Sequence, residues 1–344
     1  MVTMQQRINA FSELGLILKD AASDSPSSTE AISLRHLMDN QEKHNRWFTP
    51  DNVNMSVRAI ANMLEKDKLE AWLKPYAISD DPVIMKTIAV IMAGNIPLVG
   101  FHDFMSVLIS GNILLARTSK KDNKLIVKLA DILTGIDHGA GERIRFTDKI
   151  SGNYDAVIAT GSNNTSRYFE YYFGQKHHIF RKNRNSVAII DRNITNEDLG
   201  KLGNDIYSYF GLGCRNVSKL YIEESINPEE IFSAWSDWSH LLNHRPYLNN
   251  YLYNRSLFRL NKQHFLDNGF MLFKQETVLS SPVAVTYFEF FSDREQLANK
   301  LRMQSGMIQC IVSEKDTVFG HTQYPEPDEY ADNMDTLEFI NSLQ

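Results

Sequence analysis

The chain has 344 residues, 43% hydrophobic and 23% charged, enough to bury a large core and to form two domains. Its formal net charge of -6, with no long basic block, argues against nucleic acid as a partner. Two cysteines exclude a disulfide scaffold, and the start Met1-Val2-Thr3-Met4-Gln5-Gln6-Arg7 lacks an apolar secretory stretch, so a cytoplasmic protein is expected.

Residues 1–20 place Ile8, Phe11, Leu14 and Leu18 at helical spacing, and a polar link over 22–29 follows. In Trp47-Phe48-Thr49-Pro50, Thr49 suits an N-cap and Pro50 the first helical position, predicting a second helix. From residue 87 the texture changes. Residues 87–92 read as a buried strand, 99–110 as a helix and 113–117 as a second strand, a βαβ unit with Gly111-Asn112 as the helix stop. The nearly apolar run 87–101 is broken by Gly94, Asn95 and Pro97 and is shorter than the roughly 18 residues a spanning helix needs. No membrane span is expected.

A helix over 123–133, strands near 143–146 and 155–159, and a helix over 162–173 continue the alternation. A second section opens with a strand at 186–190. It passes through Thr195 into a helix with Leu199, Leu202, Ile206 and Phe210 on one face, and returns as a strand over 219–222. Later strands are predicted at 283–290 and 308–312, and the Pro- and acid-rich stretch 320–330 reads as an extended arm. Strands alternating with helices predict an α/β fold with a doubly wound parallel sheet.

Cys214 lies in Phe210-Gly211-Leu212-Gly213-Cys214-Arg215-Asn216, where nearby amides and the Arg215 charge favour a thiolate. This makes it a candidate nucleophile, against the competing reading of a small packed hydrophobe. Cys310, inside the apolar run 306–312, reads as core. Gly94-Asn95-Ile96-Pro97 follows the first strand at the edge where such sheets bind ligands, so the Asn95 amide could donate to an oxyanion; an ordinary Gly-Asn turn is the alternative. Thr160-Gly161-Ser162 likewise follows a strand and opens a helix. Its amides suit a pyrophosphate, and Ser162 suits a plain N-cap equally well. No Gly-x-Gly-x-x-Gly fingerprint is present. Arg117-Thr118-Ser119-Lys120-Lys121 sets three cations at the same edge, where a solvated charge run is the competing reading. His177 and His178 point to opposite faces of a strand, so no metal is expected. The clusters Tyr168-Phe169-Tyr171-Tyr172-Phe173 and Tyr247-Tyr251-Tyr253 read as packing rather than as an acyl tunnel.

Gly94-Asn95-Ile96-Pro97, Gly111-Asn112, Thr160-Gly161-Ser162 and Gly213-Cys214 occur in an order that resembles the aldehyde dehydrogenase superfamily. Within it, Trp47-Phe48-Thr49-Pro50, the segment Gly211 through Ser218 and Gly320-His321-Thr322-Gln323-Tyr324-Pro325 make residues 45–344 look most like LuxC-type fatty acyl-CoA reductases. The resemblance implies a Rossmann-type doubly wound cofactor domain joined to an α/β catalytic domain. The boundaries it suggests are a helical lead-in at 1–80, a dinucleotide-binding domain at 81–182, a catalytic domain at 183–318, and an arm at 319–344 returning to the body or to a partner subunit.

It also implies that Cys214 accepts the acyl group and that Asn95 and the Cys214 amide hold the oxyanion. Arg117 and Ser119 fall at the adenosine end of a cofactor, Gly161 and Ser162 at its pyrophosphate, and Glu276 at its nicotinamide ribose. Lys120 falls where NAD-preferring relatives often carry glutamate, so NADPH is the expected cofactor. Hydrolytic members carry Glu-Leu-Gly-Gly where this chain has Phe180-Arg181-Lys182-Asn183-Arg184-Asn185-Ser186. Without that general base, an acyl-enzyme would be reduced or exchanged rather than hydrolysed. The expected reaction is reduction of a fatty acyl-CoA or acyl-carrier thioester to the aldehyde by a homo-oligomer. The alternative is an acyl-transfer or non-catalytic subunit of a fatty-acid reductase complex.

Overall fold

Short apolar runs, separated by amphipathic helices, build two largely parallel sheets, each in its own unit. The computed structural model describes residues 3–343 apart from 77, 79 and 81–84. The first unit comprises Met1–Asn183 with Tyr324–Gln344, and the second Arg184–Gln323. The expected boundary at 80/81 abuts residues outside those described.

Four helices precede the first sheet: α1 (Met4–Ala21), α2 (Thr29–Asp39), α3 (Pro50–Met63) and α4 (Lys66–Leu73). Thr3 and Gln6 cap α1 reciprocally, and Thr49 caps α3 with Pro50 in its first turn, as its sequence predicts. Helices α2 and α4 were not anticipated, because each buries only three residues and shows no broad apolar stripe. The sheet then follows as β1 (Thr87–Ile91), α5 (Phe101–Ile109), β2 (Ile113–Arg117), α6 (Lys124–Ile136), α7 (His138–Glu142), β3 (Ile144–Phe146), β4 (Ala156–Thr160), α8 (Asn163–Phe173) and β5 (His177–Arg181). Its order is β3-β2-β1-β4-β5, with every neighbouring pair parallel. Ile88 and Val90 face a core shared with α1, α3, α5 and α6, whereas Ala89, Ile91, Val157 and Ala159 pack with Phe169 of α8 and Phe180 of β5. Both faces of the sheet are therefore covered, which explains the near-continuous apolar character of β1 and β4.

The second unit contains β6 (Asn185–Ile190), α9 (Asn196–Tyr207), β7 (Val217–Glu223), α10 (Pro228–Ser233), α11 (Arg245–Leu260), β8 (Leu266–Asp267), β9 (Leu272–Gln275), β10 (Val285–Phe291), α12 (Arg294–Met303) and β11 (Ile308–Val312). The sheet order is β11-β6-β7-β10-β9-β8, parallel except for the short β8–β9 pair. Helix α9 stops at Tyr207, not at Phe210 as its periodicity suggests. Tyr209 and Phe210 are left-handed, with φ of 51° and 57°, so they cannot extend it. Helices α10, α11 and α12 were likewise not anticipated.

The terminal stretch belongs to the first unit and is not wholly extended: α13 (Thr336–Asn341) buries Leu337 and Ile340 there. Trp72 Nε1 donates to Tyr330 Oη at 2.7 Å, and Arg181 pairs with Asp103 at 2.5 Å while donating to Thr336 Oγ1 at 2.7 Å.

Candidate active site

In the first unit, the carboxyl ends of β1 and β2 present two loops that hold each other. The β1 loop carries Asn95, whose side chain is exposed, between buried Gly94 and Pro97. Met92 N–H donates to Arg117 O at 3.0 Å, joining the strand ends. A Cβ on Gly94 would lie 2.6 Å from Ser119 Oγ, so glycine is what lets the loops touch. Pro97 O accepts from Ser56 Oγ of α3 at 2.8 Å, and Leu98 N–H donates to Asp122 Oδ2 at 2.6 Å.

The β2 loop turns Arg117 and Lys120 to the surface and leaves Ser119 partly buried. Asp122 N–H donates to Ser119 O at 3.0 Å, closing the loop on itself. Asn45, just before Trp47-Phe48-Thr49-Pro50, reaches Lys121 O at 3.5 Å, so that motif lies beside this loop. The exposed cations Arg117, Lys120 and Lys121, gathered at one sheet edge, fit the phosphate-bearing end of a dinucleotide.

Gly161 and Ser162 lie at the end of the neighbouring strand β4. Gly161 N–H donates to Arg181 O at 3.2 Å, and Ser162 Oγ accepts from Thr165 N–H at 3.3 Å as the N-cap of α8. Both therefore have local structural duties in addition to the expected cofactor role. His178 stacks on Phe180 at 4.0 Å, and no group of His, Cys, Asp or Glu that could hold a metal occurs among the described residues.

In the second unit, Cys214 is partly exposed on the turn between α9 and β7. Three successive left-handed residues, Tyr209, Phe210 and Gly211, turn the chain out of the helix. Buried Asn216 then fixes the turn: its Oδ1 accepts from Gly213 N–H at 2.8 Å, and its Nδ2 donates to Ser208 O at 2.8 Å and Asp205 O at 3.2 Å. Ser186 Oγ donates to Cys214 O at 2.9 Å and accepts from Cys310 N–H at 3.1 Å. Arg215 Nη1 approaches Cys310 Sγ at 3.3 Å, so the charge expected to act on Cys214 also contacts the buried second thiol.

Asp205, fully buried, accepts from Gly320 N–H, Thr322 N–H and Thr322 Oγ1 and thereby ties residues 320–322 to α9. Burial raises its pKa, and these hydrogen bonds oppose the rise. Glu276 follows β9, where Lys274 pairs with its carboxylate at 2.9 Å and, being its closest cation, lowers its pKa. The fully buried Lys219 ammonium donates to Glu276 O and pairs with Glu289 at 2.9 Å.

Sequence reasoning missed the residues that brace these loops: Ser56 and Asp122 around Asn95, and Ser186, Asp205 and Asn216 around Cys214. Only Asn216 carried a signal, through its place in the cysteine motif. No described helix is long and apolar enough to cross a membrane.

The acyl-CoA reductase (LuxC) family model matches residues 27–245. Comparison with curated protein sequences gives no significant match. Among solved structures, the chain is similar to an aldehyde dehydrogenase mutant from Bacillus cereus, at 12% identity and TM-score 0.63 over 91% of this chain and 72% of that one. The aldehyde dehydrogenase KauB from Pseudomonas aeruginosa shares 14% identity at TM-score 0.62, over 87% and 69%. A P. syringae indole-3-acetaldehyde dehydrogenase mutant in complex with NAD+ and IAA gives the same identity, TM-score and coverage. At these identities the likeness establishes an aldehyde dehydrogenase-like α/β fold. With the family model spanning more than half its length, the chain is an oxidoreductase of the aldehyde level and belongs to the LuxC acyl-CoA reductase family.

Proposed function

We propose that this protein reduces a fatty acyl-CoA or acyl-carrier thioester to the aldehyde with NADPH, through an S-acyl-Cys214 intermediate. The observation that carries this reading is a partly exposed thiol on a turn braced by Asn216 and Ser186, in a chain of the acyl-CoA reductase family. The Cys214 thiolate attacks the thioester carbonyl, with its own backbone amide and the Asn95 amide as donors to the developing oxyanion. The oxyanion collapses, expelling the CoA or carrier thiolate and leaving the acyl group on Cys214. Arg117, Ser119 and Lys120 would hold the adenosine end of the cofactor, Gly161 and Ser162 its pyrophosphate and Glu276 its nicotinamide ribose. That group supplies hydride when bound. Once the acyl group is at the aldehyde oxidation level, Cys214 leaves as thiolate and the aldehyde is released.

The segment 180–186 contains no carboxylate, which supports reduction over hydrolysis of the acyl-enzyme. The same reading includes a cytoplasmic homo-oligomer. Cys214 and Cys310 are thiols rather than disulfide partners, which supports the compartment. Exposed Leu252, Tyr253, Leu257 and Leu260 on α11 support association.

The test follows NADPH and NADH absorbance with acyl-CoA thioesters of graded chain length, alongside intact mass of the protein. Chain-dependent oxidation, an acyl adduct lost in Cys214→Ala, and turnover lowered about a hundredfold in Asn95→Ala are expected. Reductase activity retained in Cys214→Ala would overturn the assignment, and near-normal turnover in Asn95→Ala would make that residue structural.

A further inference from the structure

Asp122 is the one acid in Lys120-Lys121-Asp122-Asn123-Lys124, yet only its neighbours face solvent; the residue itself is 5% exposed. Its Oδ2 accepts the Leu98 N–H at 2.6 Å, and its Oδ1, also buried, has no hydrogen-bond partner. Leu98 is left-handed, with φ of 57°, a strained conformation for a branched side chain that persists only where contacts hold it. The bond to Asp122 is such a contact, and it spans the two loops at the sheet edge. On one side lies the turn carrying Asn95, and on the other the loop carrying Ser119 and Lys120. Gly94 seats against Ser119 at the far side of the same junction.

From this geometry we infer that Asp122 is a positioning residue for acyl transfer: by gripping the Leu98 N–H it fixes the turn that presents Asn95 against the loop that presents Ser119 and Lys120. The inference rests on the reading of Asn95 as an oxyanion donor. Asp122 touches no reacting atom and acts through the turn.

Its charge state sets the strength of the grip. Burial raises its pKa from 3.8 to about 7, opposed by the Leu98 N–H. The charged groups beside it are Arg117, Lys120, Lys121 and Lys124 of its own loop, with His44 against Lys124. None of them contributes to that shift. An ionised carboxylate accepts a hydrogen bond about twice as strong as a neutral one does. The raised pKa already includes that bond, so burial outweighs it, and the closed turn is held more firmly below neutrality than above it.

The test measures single-turnover acylation of Cys214 by an acyl-CoA, read by intact mass without cofactor, between pH 5.5 and 8.5. Alkylation of Cys214 by iodoacetamide across the same range reports its thiolate independently of the turn. In the full-length protein, Asp122→Ala is expected to lower the maximal acylation rate about tenfold or more at pH 6, with little change in the acyl-CoA concentration giving half-maximal rate. Asp122→Asn, which still accepts from Leu98 but cannot ionise, is expected to hold the wild-type rate of pH 6 at every pH, once corrected for thiolate. Alkylation is expected to be unchanged in both variants. Acylation equal to wild type in both variants, or a retained limb near pH 7 in Asp122→Asn, would overturn the inference alone. If Asp122→Ala does not fold, the Asp122→Asn pH profile decides. A wild-type protein that forms no acyl adduct would overturn the proposed function and this inference with it.

Discussion

Burial of Asp122 makes stability depend on pH in the direction opposite to that of an ion-paired carboxylate. With its pKa raised to about 7, the folded chain keeps a proton between about pH 4 and pH 7 that the unfolded chain has released. The stability contributed by this group is complete below the unfolded pKa and is lost as pH rises through about 7, at roughly 1.4 kcal/mol per pH unit. Asp122→Asn cannot ionise and removes that loss. Urea midpoints at pH 5 and pH 8 should therefore differ less in Asp122→Asn than in wild type, with the variant the more stable at pH 8. An unchanged difference would mean that Asp122 is charged or solvated throughout the range. No reading of residue type anticipates this group. In sequence it sits among lysines, and its burial arises only when the β1 and β2 loops close on each other.

At the scale of the element, the cysteine turn shows what local pattern reveals and what it conceals. Gly211 and Gly213, just before Cys214, mark a turn, and the turn is there. The helix before it ends early because Tyr209 and Phe210, buried aromatics with apolar periodicity, adopt left-handed backbone that periodicity cannot report. Asn216 bridges the gap by satisfying three backbone groups with one carboxamide. Its removal strands buried peptide groups, at about 1–3 kcal/mol each. Asn216→Ala is expected to cost about 2–4 kcal/mol in urea unfolding and to slow Cys214 acylation. Asn216→Asp should fare worse, since it sets a buried carboxylate oxygen against the Asp205 and Ser208 carbonyls. A full rate of acylation in Asn216→Ala would show that the turn holds its shape unaided. The strands β1, β2, β4, β6 and β11 were legible because each is a compact apolar run bounded by turn residues. Helices α2, α10, α11 and α12 were not, because their apolar residues are few or broken by exposed aromatics and charges.

The alternation of strands and helices made the α/β class of the whole molecule legible, but the path of the chain was not. The first unit is built from both ends of the sequence, and the stretch Tyr324–Gln344 closes its core. That return is specified by long-range polar contacts. Arg181 holds Asp103 and Thr336 together, Tyr76 donates to Asp335 at 2.5 Å, and Tyr330 accepts from Trp72. Its apolar anchors, Leu337 and Ile340, lie in a short acidic segment that gives no strong local signal. A chain ending at Gln323 would expose the core they cover and leave the buried Arg181–Asp103 pair without its third member, so the first unit should open locally while the second keeps its sheet. Hydrogen exchange read by mass spectrometry should show lost protection in β1, β4 and α5, with β6, β7 and β10 unchanged. Equal loss in both sets of strands would mean that the two units unfold as one. Unchanged exchange in the first set would mean that α13 adds nothing to the core on which it packs.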